Sequence, residues 1–201
     1  MSNQFKVVFA DYDYPSIDIE LKQLEQLDAE ITEGQCKTEE ELIKLAKDAD
    51  GIICQYAPFS AKVINALEKC QVISRYGVGV DNIDIKAATE KGIMVAYVPD
   101  YCIEEVSNHA IAMIMNFARE ISVFDRGTRK KDWDVMIAKP IFRLSEQTIG
   151  IIGLGRIGSA VAKKLKNLNV KILAHDPYVK KVIEGVRIVD FPELMEKSDY
   201  I

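Results

Sequence analysis

Between Thr148 and Asp176 the chain reads TIGIIGLGRIGSAVAKKLKNLNVKILAHD, and no other stretch narrows the possible folds as far. A short apolar run, Ile149, Ile151 and Ile152, suits a strand buried on both faces of a parallel sheet. It breaks into Gly153-Leu154-Gly155-Arg156-Ile157-Gly158, the G-x-G-x-x-G spacing. A helical pattern follows: Ile157, Ala160, Val161, Leu165 and Leu168 recur at three- and four-residue steps, with Arg156, Lys163, Lys164 and Lys166 mostly opposite. A second strand, Val170 to Ala174, leads into His175-Asp176.

Each part of this unit has a physical task. Gly153 permits the tight strand-to-helix turn, Gly155 lets backbone approach a pyrophosphate, and Gly158 lets the helix lie against the strand. Unpaired amides and a partial positive charge at the helix N-terminus then favour phosphate. Asp176, about twenty residues further on, stands where a carboxylate accepts the ribose hydroxyls of an adenosine. It would also repel a 2′-phosphate, which favours NAD over NADP, although Lys180 and Lys181 nearby work against that preference. Strand, glycines, helix and acidic residue together read as a dinucleotide-binding unit rather than as a glycine-rich turn of another kind.

The rest of the chain supplies the setting. With 48% hydrophobic residues it can build a core, and a net charge of −5 without any basic block speaks against nucleic acid or an acidic membrane surface as partner. Cys36, Cys54, Cys70 and Cys102 are far apart and form no metal-binding or redox motif, so free thiols in a cytoplasmic protein are expected, with no metal site. The longest apolar helical stretch, around Ala110 to Ala118, is too short to span a bilayer.

Before the glycine turn, strands are expected at Lys6–Ala10, Gly51–Gln55, Val72–Arg75 and Ile93–Val98. Helices are expected at Ile17–Leu27, from a Thr38–Glu41 capping box to Ala49, at Ser60–Lys69 and at Ile85–Lys91. Strands alternating with helices at this spacing imply an α/β fold with a parallel sheet. Pro99 closes that block, dividing the chain into domains 1–99 and 100–201. Glu104 to about Arg126 is the longest helical pattern. Its centre, Ala110 to Met115, is apolar all round, as expected of a helix buried on several sides between domains or subunits. After Asp176 the pattern runs on through Tyr178–Glu184, a strand at Val186–Val189 and a helix near Glu193–Lys197. Asp199-Tyr200-Ile201 reads as the beginning of a further strand.

A second glycine turn, Arg75-Tyr76-Gly77-Val78-Gly79-Val80-Asp81-Asn82-Ile83-Asp84, also follows a strand. Consecutive amides there can form an anion-holding nest, or the segment is simply a strand-to-helix turn fixed by Asp81, Asn82 and Asp84. RYGVGVDNID, GIMVAYVPDYCIEEVSNHAIAMIMNFAREI, TIGIIGLGRIGSAVAKKL and HDPY, in that order, resemble the D-isomer-specific 2-hydroxyacid dehydrogenases. The likeness is greatest to their phosphoglycerate dehydrogenase-like and C-terminal-binding-protein-like branch.

That resemblance implies a flavodoxin-like substrate domain followed by a Rossmann nucleotide-binding domain, incomplete at its C-terminus. It implies an oxidoreductase that moves a hydride between NAD(H) and C2 of a small 2-hydroxy or 2-keto acid. By the same carry-over, Val78 and Gly79 hold the substrate carboxylate, Arg156 and Ile157 face the pyrophosphate, Asp176 the ribose and Tyr178 the adenine. The long helix Glu104–Arg126 contributes to a homodimer. Tyr97 departs from an asparagine common in the family, and Tyr56, after the Gly51 strand, is a candidate for side-chain selectivity.

The family's catalytic arginine, glutamate and histidine belong to segments that would lie beyond Ile201, so no catalytic residue is assigned here and the polypeptide alone is expected to lack turnover. His175, on the adenosine side, and His109, expected to be packed and hydrogen-bonded in the long helix, read as structural; Arg75 reads as an ion-pair partner. A rival reading of another class is an NAD-sensing adaptor that docks peptide partners on the same fold.

Overall fold

The computed structural model describes residues 4–179 and 183–201, so Lys180 and Lys181, and part of the expected Tyr178–Glu184 pattern, lie outside the described residues. The chain divides into two compact units, Met1–Tyr101 and Cys102–Ile201.

In the first unit, β1 (Lys6–Phe9), β2 (Glu30–Glu33), β3 (Gly51–Cys54), β4 (Val72–Arg75) and β5 (Met94–Tyr97) form a parallel sheet in the order β2-β1-β3-β4-β5. This is the flavodoxin-like order, in which ligands bind beyond the carboxyl ends of the strands where the order reverses, here between β1 and β3. Helices α1 (Asp18–Leu24), α2 (Glu39–Ala46), α3 (Ala61–Ala66) and α4 (Ile85–Glu90) make the crossovers. Val8, Ile52 and Ile73 on one sheet face pack with Leu42, Phe59 and Ile64, all essentially sealed from water. Val7 and Phe9 meet Ile17 on the other face.

The α2 capping box closes as expected: Thr38 Oγ1 accepts from the Glu41 amide and Glu41 Oε2 from the Thr38 amide, each at 3.2 Å. Strand β2 has no counterpart in the sequence reading. Its EITE pattern is half charged because it is an edge strand with both end residues in water, where glutamates also discourage further strand pairing.

The second unit begins with α5 (Ile103–Ala118) and α6 (Ile121–Arg129). The single helix expected over Glu104–Arg126 is therefore two. Glu120, at φ +53°, turns the chain left-handed between them, and Asn116 Oδ1 accepts from the Ser122 amide (3.1 Å) and hydroxyl (2.7 Å) to seat the new helix. No glycine or proline marks the break, and left-handed glutamate costs about 1–2 kcal/mol, which the Asn116 bonds offset.

Nor is α5 buried all round within its unit. Ala110, Ile111 and Ile114 pack inward, whereas Val106, Met113 and Phe117 are 43%, 49% and 63% exposed. His109, expected to be packed, is exposed: it lies away from the inward stripe that the helical repeat assigns to Ala110, Ile111 and Ile114.

Strand β6 (Thr148–Ile152) leads into α7 (Arg156–Lys166), then β7 (Lys171–His175), β8 (Val186–Ile188) and α8 (Phe191–Lys197). The strands are parallel in the order β6-β7-β8, and Tyr200 bridges Ile149 on the free side of β6, with the Gly150 amide donating to its carbonyl at 2.8 Å. Read across, this is the 3-2-1-4 order of a Rossmann half. Helix α7 is tied to α5 by Lys164, whose Nζ donates to Ser107 Oγ (2.7 Å) and pairs with Glu104 Oε1 (3.1 Å). Among the described residues no helix is long and apolar enough to cross a membrane, and no group of three or more His, Cys, Asp or Glu is placed to hold a metal.

Candidate functional site

In the second unit, the turn between β6 and α7 owes its shape to its glycines. Gly153 sits at φ +89°, in the left-handed region that a side chain disfavours, and its amide donates to the His175 carbonyl at 2.8 Å. A Cβ on Gly158 would collide with the Gly153 carbonyl oxygen, so this glycine is what allows α7 to lie so close to the strand. Gly155 caps α7, and a Cβ built there would meet nothing within 4 Å. The helix therefore opens on free space at Gly155, beside the first-turn amides of Arg156 and Ile157; the Arg156 side chain is exposed, and that of Ile157 packs partly against the core.

Two further bonds hold the turn, and the sequence reading missed both. Ser159 Oγ donates to the Leu154 carbonyl at 2.7 Å, and the Leu154 amide donates to Asp176 Oδ2 at 2.7 Å. Asp176 Oδ1 accepts from the Tyr178 amide at 2.8 Å. These amides, Tyr178 first and Leu154 second, hold the Asp176 carboxyl below the usual aspartate value, so it is ionised at neutral pH. Each carboxylate oxygen offers about two lone pairs and accepts one backbone amide here, so further lone pairs remain for hydroxyls. Tyr178 is 86% exposed. His175 contacts the Val189 carbonyl through Nδ1 at 3.0 Å and stacks edge-on against Phe191.

In the first unit, the loops after β1, β3 and β4 meet at the carboxyl edge. Asp11, 6% exposed, accepts the amides of Gln55 (2.9 Å) and Tyr56 (2.6 Å) and so fixes the loop that presents Tyr56, itself 62% exposed. An acidic residue straight after the β1 apolar run, at the point where strand order reverses, was the available signal for Asp11.

The β4 turn follows, with Gly77 at φ +113° packed against the Arg75 guanidinium. Arg75 Nε donates to the Gln55 carbonyl at 3.1 Å. Among the described residues its bond is thus to backbone rather than the ion pair expected from sequence, because the parallel register sets Arg75 beside Cys54 and the outgoing β3 chain. Val78 and Gly79 are exposed at the tip. Asn82 Nδ2 donates to the Ala57 carbonyl (2.9 Å), stitching the turn to the Tyr56 loop, and Asp84 Oδ1 caps α4 through the Ala87 amide (2.9 Å). Tyr76 donates to Glu20 Oε1 at 2.9 Å; burial and that carboxylate push its phenol well above the ordinary tyrosine value.

The structure thus brings Gly153, Gly155, Gly158 and Asp176 together in one unit and Tyr56, Val78 and Gly79 together in the other. Comparison with known proteins agrees with both folds. The D-3-phosphoglycerate dehydrogenase of Archaeoglobus fulgidus is 39% identical over 179 residues, covering 87% of this chain and 33% of that protein. Among solved structures, an acyclic imino acid reductase in complex with NADPH and D-Arg superposes with a TM-score of 0.83 at 26% identity, covering 97% of this chain and 63% of the other. D-lactate dehydrogenase from Aquifex aeolicus, complexed with NAD and lactic acid, gives 0.82 at 27%, covering 96% and 58%. The chain therefore spans about a third of the length of that curated relative and less than two thirds of those structures. A family model described as D-isomer specific 2-hydroxyacid dehydrogenase, catalytic domain, matches residues 7–186. The chain belongs to the D-isomer specific 2-hydroxyacid dehydrogenase family.

Proposed function

We propose that the protein is an NAD-dependent oxidoreductase acting at C2 of a small 2-hydroxy or 2-keto acid, with Met1–Tyr101 as its substrate domain and Cys102–Ile201 as its nucleotide-binding domain. The observation that bears this reading is the β6–α7 turn: an open hollow at Gly155, helix amides behind it, and an ionised Asp176 bonded to the turn itself. These residues fit a dinucleotide. The Arg156 and Ile157 amides would hold the pyrophosphate, Asp176 the adenosine ribose, and Tyr178 would lie by the adenine. The carboxylate favours NAD, since a 2′-phosphate would meet a like charge. When bound, the nicotinamide supplies the hydride acceptor or donor.

In the substrate domain, the Val78 and Gly79 amides hold the substrate carboxylate and Tyr56 faces its side chain. Reduction of a keto acid also needs a cation on the carboxylate and a proton donor. His109 stands exposed on α5 and His175 is engaged with Val189, so neither is assigned that role. The exposed α5 stripe of Val106, Met113 and Phe117 suits a homodimer contact, and four free thiols suit a reducing cytoplasm.

Calorimetry on the 201-residue chain tests the cofactor reading: NADH should release heat on binding, and Asp176→Ala should abolish it. The chain by itself should oxidise no NADH with glyoxylate, pyruvate or hydroxypyruvate. Absence of any NADH binding by folded protein would overturn the proposal, and keto-acid turnover by this chain would overturn the assignment of its histidines.

A further inference from the structure

A hollow of about 530 Å³ opens on the face of the second sheet that α8 covers only in part, at the amino-terminal ends of β6, β7 and β8. That volume lies within the range of small-molecule sites. Register sets Thr148 beside Lys171 and Leu173 beside Arg187, so both cations rise from adjacent strands around a Leu173 floor. Gly185, at φ +84°, lies at the head of β8 on the rim of the hollow. Lys197, from the last turn of α8, closes one side.

Three cations from three separate elements therefore converge on one concavity. Among the described residues, the only carboxylate paired with them is Glu193, whose Oε1 takes both Arg187 Nη2 and Lys197 Nζ at 2.8 Å. Lys171 Nζ makes a long 3.5 Å bond to the Glu146 carbonyl. Of the neighbouring acids, Asp199 accepts from the Thr148 amide at 2.7 Å and keeps its negative charge, and Glu146 lies 3.9 Å from Arg143. Counting both Glu193 and Asp199 against the three cations leaves a surplus of about one positive charge, which favours an anion such as a phosphomonoester. Glu193 takes one arm of the Arg187 guanidinium and the Lys197 ammonium, and the donors they have left, with Lys171, are the groups that would meet a tetrahedral oxyanion.

We propose that this hollow binds a small phosphomonoester and is a site separate from the glycine turn. The two lie at opposite ends of β6, a five-residue strand, which at about 3.3 Å per residue sets them roughly 16 Å apart. The site can therefore be filled whether or not a nucleotide is bound.

The test is residue-resolved amide NMR of the 201-residue chain titrated with glycerol 3-phosphate at ionic strength held constant with KCl. Saturable shifts are expected at Lys171, Gly185, Val186 and Arg187, with affinity at least tenfold weaker in the Lys171→Gln/Lys197→Gln variant. Both side chains are solvent-facing, and an otherwise unchanged spectrum would show that the fold survives; if it does not, Lys197→Gln alone serves. Shifts confined to Gly153–Gly158, unsaturable shifts at every basic residue, or unchanged affinity in the variant would each overturn the proposal.

Discussion

Alanine at Gly155 and at Gly158 should have opposite consequences, although the two residues share one turn. At Gly158 a methyl group would overlap the Gly153 carbonyl oxygen and stand 3.1 Å from its carbon and 3.4 Å from Ile151 Cγ2. The atom it meets is backbone, held by the 2.8 Å Gly153–His175 bond, so α7 must move instead. Overpacking of this kind costs about 1–3 kcal/mol, and a backbone collision belongs at the upper end. Alanine regains about 1 kcal/mol of helix propensity, leaving a net loss of about 2 kcal/mol. For a chain of this size that is a fall of roughly 4–8 °C in Tm.

At Gly155 φ is −64° and a Cβ meets nothing within 4 Å, so alanine is tolerated. Reduced freedom of the unfolded chain would even add about 0.4–1 kcal/mol. The new methyl group nevertheless stands in the open space where we propose the pyrophosphate binds. Circular-dichroism melts paired with NADH calorimetry should therefore find Gly155→Ala as stable as the parent but at least tenfold weaker in binding, and Gly158→Ala impaired in both. A Gly158→Ala protein that melts with the parent would refute the packing argument. A Gly155→Ala protein that binds NADH normally would refute the cradle.

Two other outcomes are expected. Asp50 Oδ2 accepts from the Lys6 amide (2.9 Å) and Lys69 Nζ (3.0 Å), and these hold its carboxyl below the ordinary 3.8. A depressed folded-state value stabilises above the unfolded one and is lost as pH falls through it. Urea unfolding should accordingly change little from neutral pH down to about 5 and weaken below about 4, with Asp50→Asn about 1 kcal/mol less stable at neutral pH and less sensitive to acid; an equal acid response in both would contradict this. Burial pushes the Cys54 thiol up to about 12 and that of Cys70 to about 11. Peptide mapping after brief alkylation should find Cys102, which is half-buried, labelled well before either of them, and equal labelling of native Cys54 would count against its burial.

The glycine turn was legible because its constraints are local. A left-handed residue, a close approach and a bare helix face are each demanded within six consecutive positions, and the same holds for the Thr38 capping box and the Asp84 cap. Strand β2 escaped notice because an edge strand of four residues with charged ends buries too little to impose a pattern. The break at Glu120 escaped because it is held by a side chain, Asn116, reaching into the next helix, while the apolar spacing runs on undisturbed. Arg75 and His109 were misjudged for a related reason: a residue's partner depends on which strand or helix face lies beside it, and periodicity does not report that.

Short-range chemistry was thus settled by the amino-acid order alone: where the chain turns, which helix end opens on the glycine turn, and that an acidic residue stands at the tip of the following strand. Sheet register decided the rest. It joined the Leu154 amide to Asp176, set Asp11 under the Tyr56 loop, and gathered Lys171, Arg187 and Lys197 around one hollow. Those groups come from separate strands and a separate helix, and their proximity follows from the alignment of whole strands, which is fixed by the summed burial of both sheet faces and not by any one stretch of sequence.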